Sequence, residues 1–164
     1  MAYMLRSING YLILTGFIAL IILLRTIIET FQTTSVPGYF LLLLMLASVV
    51  WGIYTNAVLL FKKDNVNTVR YLKYNLWYNI LQAGAFSLFG FVYVFSMGVE
   101  VIPYVLNDGN INIGCRFDLF NVKASCYYNS EESVYFLGIN LVPLLIAVFL
   151  NHFINKTSGK QSKS

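Results

Sequence analysis

The chain's 164 residues are 58% hydrophobic and 11% charged, against about 25% charged in ordinary soluble domains. A soluble fold of this size has too little interior to bury that much apolar surface, which excludes a conventional soluble globule. The net charge of +4 is not a nucleic-acid footprint, because the basic residues flank apolar runs, where they set membrane orientation.

Residues 7–24, 30–61, 74–99 and 133–155 carry no formal charge. A helix needs about 20 apolar residues to cross the hydrocarbon core of a bilayer. The runs therefore predict transmembrane helices over roughly 10–31, 39–61, 74–97 and 134–154, with an outer loop over 98–133 and a polar tail over 155–164. The expected fold is an all-α four-transmembrane-helix bundle, a single integral membrane domain over 1–164.

The first span reads as an uncleaved signal anchor, since Arg25 and Glu29 stand where a cleavage site would follow. These two residues are spaced i, i+4 and can pair on one helix face. They either neutralise each other near the interface or contact a lipid headgroup or partner subunit. Pro37-Gly38 predicts a tight turn into the second span.

The second span carries Asn56 and the small pair Ser48-x-x-x-Gly52, a spacing that lets helix backbones approach closely. In the third, Asn75, Asn79 and Gln82 form one polar stripe, with Ala83, Gly84, Ser87 and Gly90 as further small packing residues. The stripe is expected to meet Asn56, together with Asn140 and Asn151 of the fourth span. It acts there as interhelical hydrogen-bond glue or lines a polar cavity for a solute. Pro143 is expected to kink the fourth span.

Ile111, Ile113, Cys115, Phe117 and Leu119 alternate with mostly polar neighbours, the spacing of a strand. A short hairpin turning at Phe120–Asn121 would set Cys115 opposite Cys126. An outer loop lies in an oxidising compartment, so a Cys115–Cys126 disulfide is expected.

One side of the four spans collects Arg6, Lys62, Lys63, Arg70, Lys73, Lys156, Lys160 and Lys163, and the other only Arg116 and Lys123. This asymmetry predicts cytosolic termini and an extracellular, lumenal or periplasmic 98–133 loop. Cytosolic termini, a short first outer loop and a longer second one with a cysteine pair resemble the layout of MARVEL-type proteins and the membrane-spanning four-domain family. The small regulatory subunit of fungal inositol phosphorylceramide synthase is similar in the same way. The resemblance is one of architecture and carries over no functional residue.

No Gly-rich phosphate loop, nucleophile elbow, H-E-x-x-H pair or C-x-x-C pair is present. His152 is the lone histidine and has no second ligand at metal spacing. No catalytic residue, metal or cofactor is expected. The leading expectation is a non-catalytic accessory or scaffold protein in the bilayer, bound to other membrane subunits or to itself. A small transporter or channel using the amides is the alternative, and a lipid-modifying enzyme is a more distant one.

Overall fold

The structure is a computed structural model that describes residues 2–30, 36–61, 65–89, 91–128 and 134–161. It is not an all-α bundle. Four helices, α1 (Ala2–Thr30), α2 (Val36–Phe61), α3 (Asn65–Ala83) and α4 (Leu141–Gln161), accompany four strands, β1 (Gly84–Leu88), β2 (Phe91–Asn107), β3 (Ile111–Tyr128) and β4 (Tyr135–Ile139). Among the described residues two helical segments, Tyr3–Glu29 and Leu42–Phe61, are long and apolar enough to cross a membrane. The four-span reading is therefore wrong, and the resemblance to four-span families goes with it.

The errors have local causes. The expected third span joins the end of α3 to β1 and the first part of β2. Past Ala83 the chain reads Gly-Ala-Phe-Ser-Leu-Phe-Gly-Phe-Val-Tyr-Val-Phe. Aromatic and β-branched residues favour a pleated surface, and glycine weakens a helix. The expected fourth span is likewise β4 followed by α4. Asn140 caps that helix, its Oδ1 accepting from the Val142 N–H at 3.3 Å. Pro143 then falls in the first turn, where no intrahelical donor is lost, so it starts the helix rather than kinking it. Pro37 and Gly38 lie within the opening residues of α2, and the connection over 31–35 lies outside the described residues.

The sheet is antiparallel in the order β1-β4-β2-β3, with β1 also pairing with β2. Its long β2–β3 ribbon explains this double pairing. The first part of β2 pairs with β1 through Ala85 and Val94, and the last part pairs with β4 through Tyr104 and Gly138. The ribbon therefore wraps around the β1–β4 pair. It changes register between Gly98 and Glu100, and Gly98 takes φ +93°, which suits only glycine. A Cβ there would lie 2.8 Å from Tyr11 Oη and 2.9 Å from Thr15 Cγ2 of α1. The Val99 N–H donates to the same Tyr11 hydroxyl at 3.0 Å. The bend is thus seated directly on α1.

Two apolar clusters hold the parts together. Ala19, Leu23, Met45 and Val49 of α1 and α2 enclose Met97 of β2. At the other end Leu72, Leu150 and Ile154 gather Leu5, Leu59 and Phe153. That second cluster joins the start of α1, the end of α2, the first half of α3 and the end of α4.

The ribbon turns at Asp108–Asn110, not at Phe120–Asn121, and β3 runs unbroken through both cysteines. Cys115 pairs with Pro103 and Cys126 with Tyr93, so they sit on one strand on either side of the bend. Strand residues advance about 3.3 Å each, whereas a disulfide needs Cα atoms within about 7 Å. The expected disulfide is not formed, and Cys115 is a free, exposed thiol.

Candidate functional site

Two features of the molecule are chemically unusual. One is a buried column of amides, and the other is a sheet whose outward face is apolar.

The column starts between α2 and α3. Asn75 Nδ2 donates to Asn56 Oδ1 at 2.9 Å, and Thr55 Oγ1 donates to Asn75 Oδ1 at 2.8 Å. Asn56 Nδ2 also donates to the Gly52 carbonyl at 2.7 Å, and Asn79 Nδ2 to the Asn75 carbonyl at 2.8 Å. One turn further, Gln82 Oε1 accepts from the Met97 N–H at 3.2 Å, tying α3 to β2. Where α3 ends, the Asn140 N–H donates to the Ala83 carbonyl at 2.8 Å. Asn140 Nδ2 reaches Ser96 Oγ at 3.1 Å, and its Oδ1 accepts from the Val101 N–H at 3.2 Å.

The expected stripe of Asn75, Asn79 and Gln82 is thus buried, and it meets Asn56 directly. Asn140 is buried too, but it serves the strand-to-helix junction. Asn151 is exposed on α4, as is His152, and neither joins the column. Thr55 and Ser96 were not anticipated. Nor was Asn9, which is 1% exposed and has neither amide atom hydrogen-bonded.

The expected packing residues divide. Gly52 faces the Tyr78 ring, where a Cβ would come within 3.2 Å. Ser48 returns its hydroxyl to the Met45 carbonyl at 2.7 Å. Ala83 closes α3, but Gly84 and Ser87 belong to strand β1 and not to a helix. Gly90 lies outside the described residues. Gly16, not singled out in the sequence, lies against Ile53 more closely than a Cβ would allow. Arg25 Nε and Glu29 Oε1 do pair, at 2.7 Å, and remain exposed on α1.

The sheet contains a buried ion pair. Glu100 is 0% exposed, and Arg116 Nη2 donates to its Oε2 at 2.5 Å. Arg116 Nε also donates to Asp118 Oδ2 at 2.7 Å, and Lys123 Nζ stands 3.6 Å from the same oxygen. Burial works against the Arg116 charge, but the two carboxylates outweigh it and raise its pKa above the usual arginine value. These groups straddle the register change, where the ribbon bends.

Cross-strand partners share a face. One row reads Val94, Ala85, Gly138, Tyr104 and Gly114, and Glu100 and Arg116 belong to that inner face. The adjacent row reads Tyr93, Phe86, Leu137, Val105 and Ile113 and points outward. Along β3 the outward series Ile111, Ile113, Cys115, Phe117 and Leu119 is exposed throughout, with Ile113 at 82% and Phe117 at 62%. A water-soluble sheet reverses this arrangement. Here ionic and small polar groups face inward, and aliphatic and aromatic groups face outward on an edge strand.

No family model, curated protein or solved structure matches this chain.

Proposed function

We propose that this protein is a non-catalytic accessory subunit of a membrane complex that docks a partner chain on the outward face of β3. The observation that carries this reading is the unbroken apolar series Ile111, Ile113, Cys115, Phe117 and Leu119 on the terminal strand of the sheet. Monomeric soluble proteins rarely leave such a surface uncovered. Lipid is a poor cover, because an open sheet edge inside hydrocarbon strands its backbone donors and acceptors. Outside hydrocarbon, water is a poor cover for the side chains. A second protein surface satisfies both the edge and the face.

The amide column supports the same reading. Its members largely satisfy one another, which stiffens the scaffold instead of lining a path. Orientation follows from charge. Arg6, Arg70, Lys73 and Lys156 surround the end of the molecule where Leu5, Leu59, Leu72 and Leu150 pack together. By the positive-inside rule that end is cytosolic, and α1 and α2 cross the bilayer from it.

Purification in mild detergent tests the proposal. The wild-type chain is expected to copurify with one stoichiometric partner, either another chain or a second copy of itself. Ile113→Asp/Phe117→Asp should lose it while keeping wild-type thermal stability. A strictly monomeric wild type, or a partner retained by the double variant, contradicts the proposal. The buried, unsatisfied amide of Asn9 favours a second reading, a conduit for a small polar solute. Solute flux through liposomes holding the pure chain would support it.

A further inference from the structure

The outer side of α2 and the start of α3 form a trough independent of the sheet face. At one end Leu43, Leu46, Ala47, Val50, Trp51 and Tyr54 line an apolar depression of about 600 Å³. At the other, Trp51 and Tyr54 also line a space of about 400 Å³, shared with Arg70, Tyr71 and Tyr74. Trp51 and Tyr54 border both spaces, which therefore adjoin along the trough. Its chemistry changes along its length from aliphatic, through aromatic, to cationic.

The cationic end is held in place. Arg70 Nε donates to Tyr74 Oη at 2.8 Å, and its guanidinium lies 5.6 Å from the centre of the Tyr74 ring. Trp51 meets the Tyr74 ring edge-on at 5.7 Å, and Tyr54 meets Tyr71 at 6.4 Å. The Nε contact orients the fork of Nη groups, which matches phosphate oxygens in geometry. Lys73, exposed and three residues on, shares that side of α3.

The geometry points to a binding site for one anionic phospholipid, with its phosphate at Arg70 and an acyl chain along Leu43–Trp51. Length agrees. From Leu43 to Tyr54 the helix rises about 16 Å, close to half of a hydrocarbon core about 30 Å thick. Polarity agrees as well, because the aromatic rings lie between the apolar and charged ends of the trough. A zwitterionic lipid fits the groove equally well but offers less net attraction to Arg70 and Lys73, each worth about fivefold in anionic-lipid affinity near a surface.

Trp51 is a built-in reporter, since the chain has two tryptophans and Trp77→Phe leaves it alone. That variant is reconstituted in phosphatidylcholine vesicles containing acyl-brominated phosphatidylglycerol or acyl-brominated phosphatidylcholine at equal mole fraction. The phosphatidylglycerol is expected to quench Trp51 half-maximally at a mole fraction at least about fivefold lower. Adding Arg70→Gln/Lys73→Gln should remove that preference, while Trp51 emission in unbrominated vesicles stays unchanged as a check on folding. Equal quenching by the two lipids would mean ordinary boundary lipid and would overturn the inference. A preference surviving Arg70→Gln/Lys73→Gln would overturn it too, as would full competition by millimolar inorganic phosphate, which would mark a simple anion site.

Discussion

Glu100 and Arg116 face each other across the β2–β3 ribbon, with the carboxylate fully enclosed and the guanidinium reaching in from a position that is 37% exposed. The pair is 2.5 Å apart at the bend that lets one ribbon flank both β1 and β4. Removing one member of a buried pair costs more than removing both, because the remaining charge keeps its desolvation cost. Arg116→Leu is therefore expected to destabilise the protein by about 2–3 kcal/mol, below the range for fully buried pairs because water reaches the guanidinium. Glu100→Leu/Arg116→Leu should cost less than Arg116→Leu alone. Thermal unfolding in detergent checks the order, and a double variant weaker than the single would remove the ion pair's structural role.

The amide column separates satisfied from unsatisfied groups. Asn75 serves Thr55, Asn56 and Asn79 at once. Asn75→Leu deletes its side-chain bonds and strands buried partners, at an expected cost of about 1–3 kcal/mol. Asn9 has no bond to lose, so Asn9→Leu is expected to be neutral or stabilising. Unfolding midpoints of the two variants should move apart, and equal losses would mean that burial alone governs these sites.

Gly98 fixes the bend against α1. Gly98→Ala places a Cβ at φ +93° and 2.8 Å from Tyr11 Oη. Strain and overpacking together are expected to cost about 2–4 kcal/mol. Tyr11→Phe in that background removes the nearest atom and should recover part of the loss. Hydrogen exchange at Val99, whose N–H is bonded to Tyr11, reports the same contact locally. Unchanged stability and exchange would show that the bend does not depend on it.

What was legible in the sequence follows from the range of each signal. The length and apolarity of α1 and α2 could be read directly, and helical spacing alone brought Asn75 to Asn56. The Ile111–Leu119 alternation revealed a strand, but not that it belonged to an eighteen-residue one. Hydropathy could not distinguish helix from strand over Gly84–Met97, because a buried strand and a membrane helix are both charge-free. Asn140 followed by Pro143 was a helix-start signal hidden inside an apolar run. The Glu100–Arg116 pair was unreadable, since it depends on a cross-strand register that one extra residue at the bend determines. The disulfide expectation failed for the same reason: once the turn moves to Asp108–Asn110, both cysteines fall on one strand.

The central claim is that protein covers the outward face of β3, and Phe117 lies in the middle of that face. A photo-crosslinking phenylalanine analogue placed at position 117 keeps the ring and reacts with whatever lies against it. Irradiated in native membranes, it should give one discrete protein adduct, whose mass distinguishes a second copy from a different chain. Ile113→Asp should abolish that adduct. Adducts with lipid alone, in membranes where the chain is intact and folded, would contradict the account.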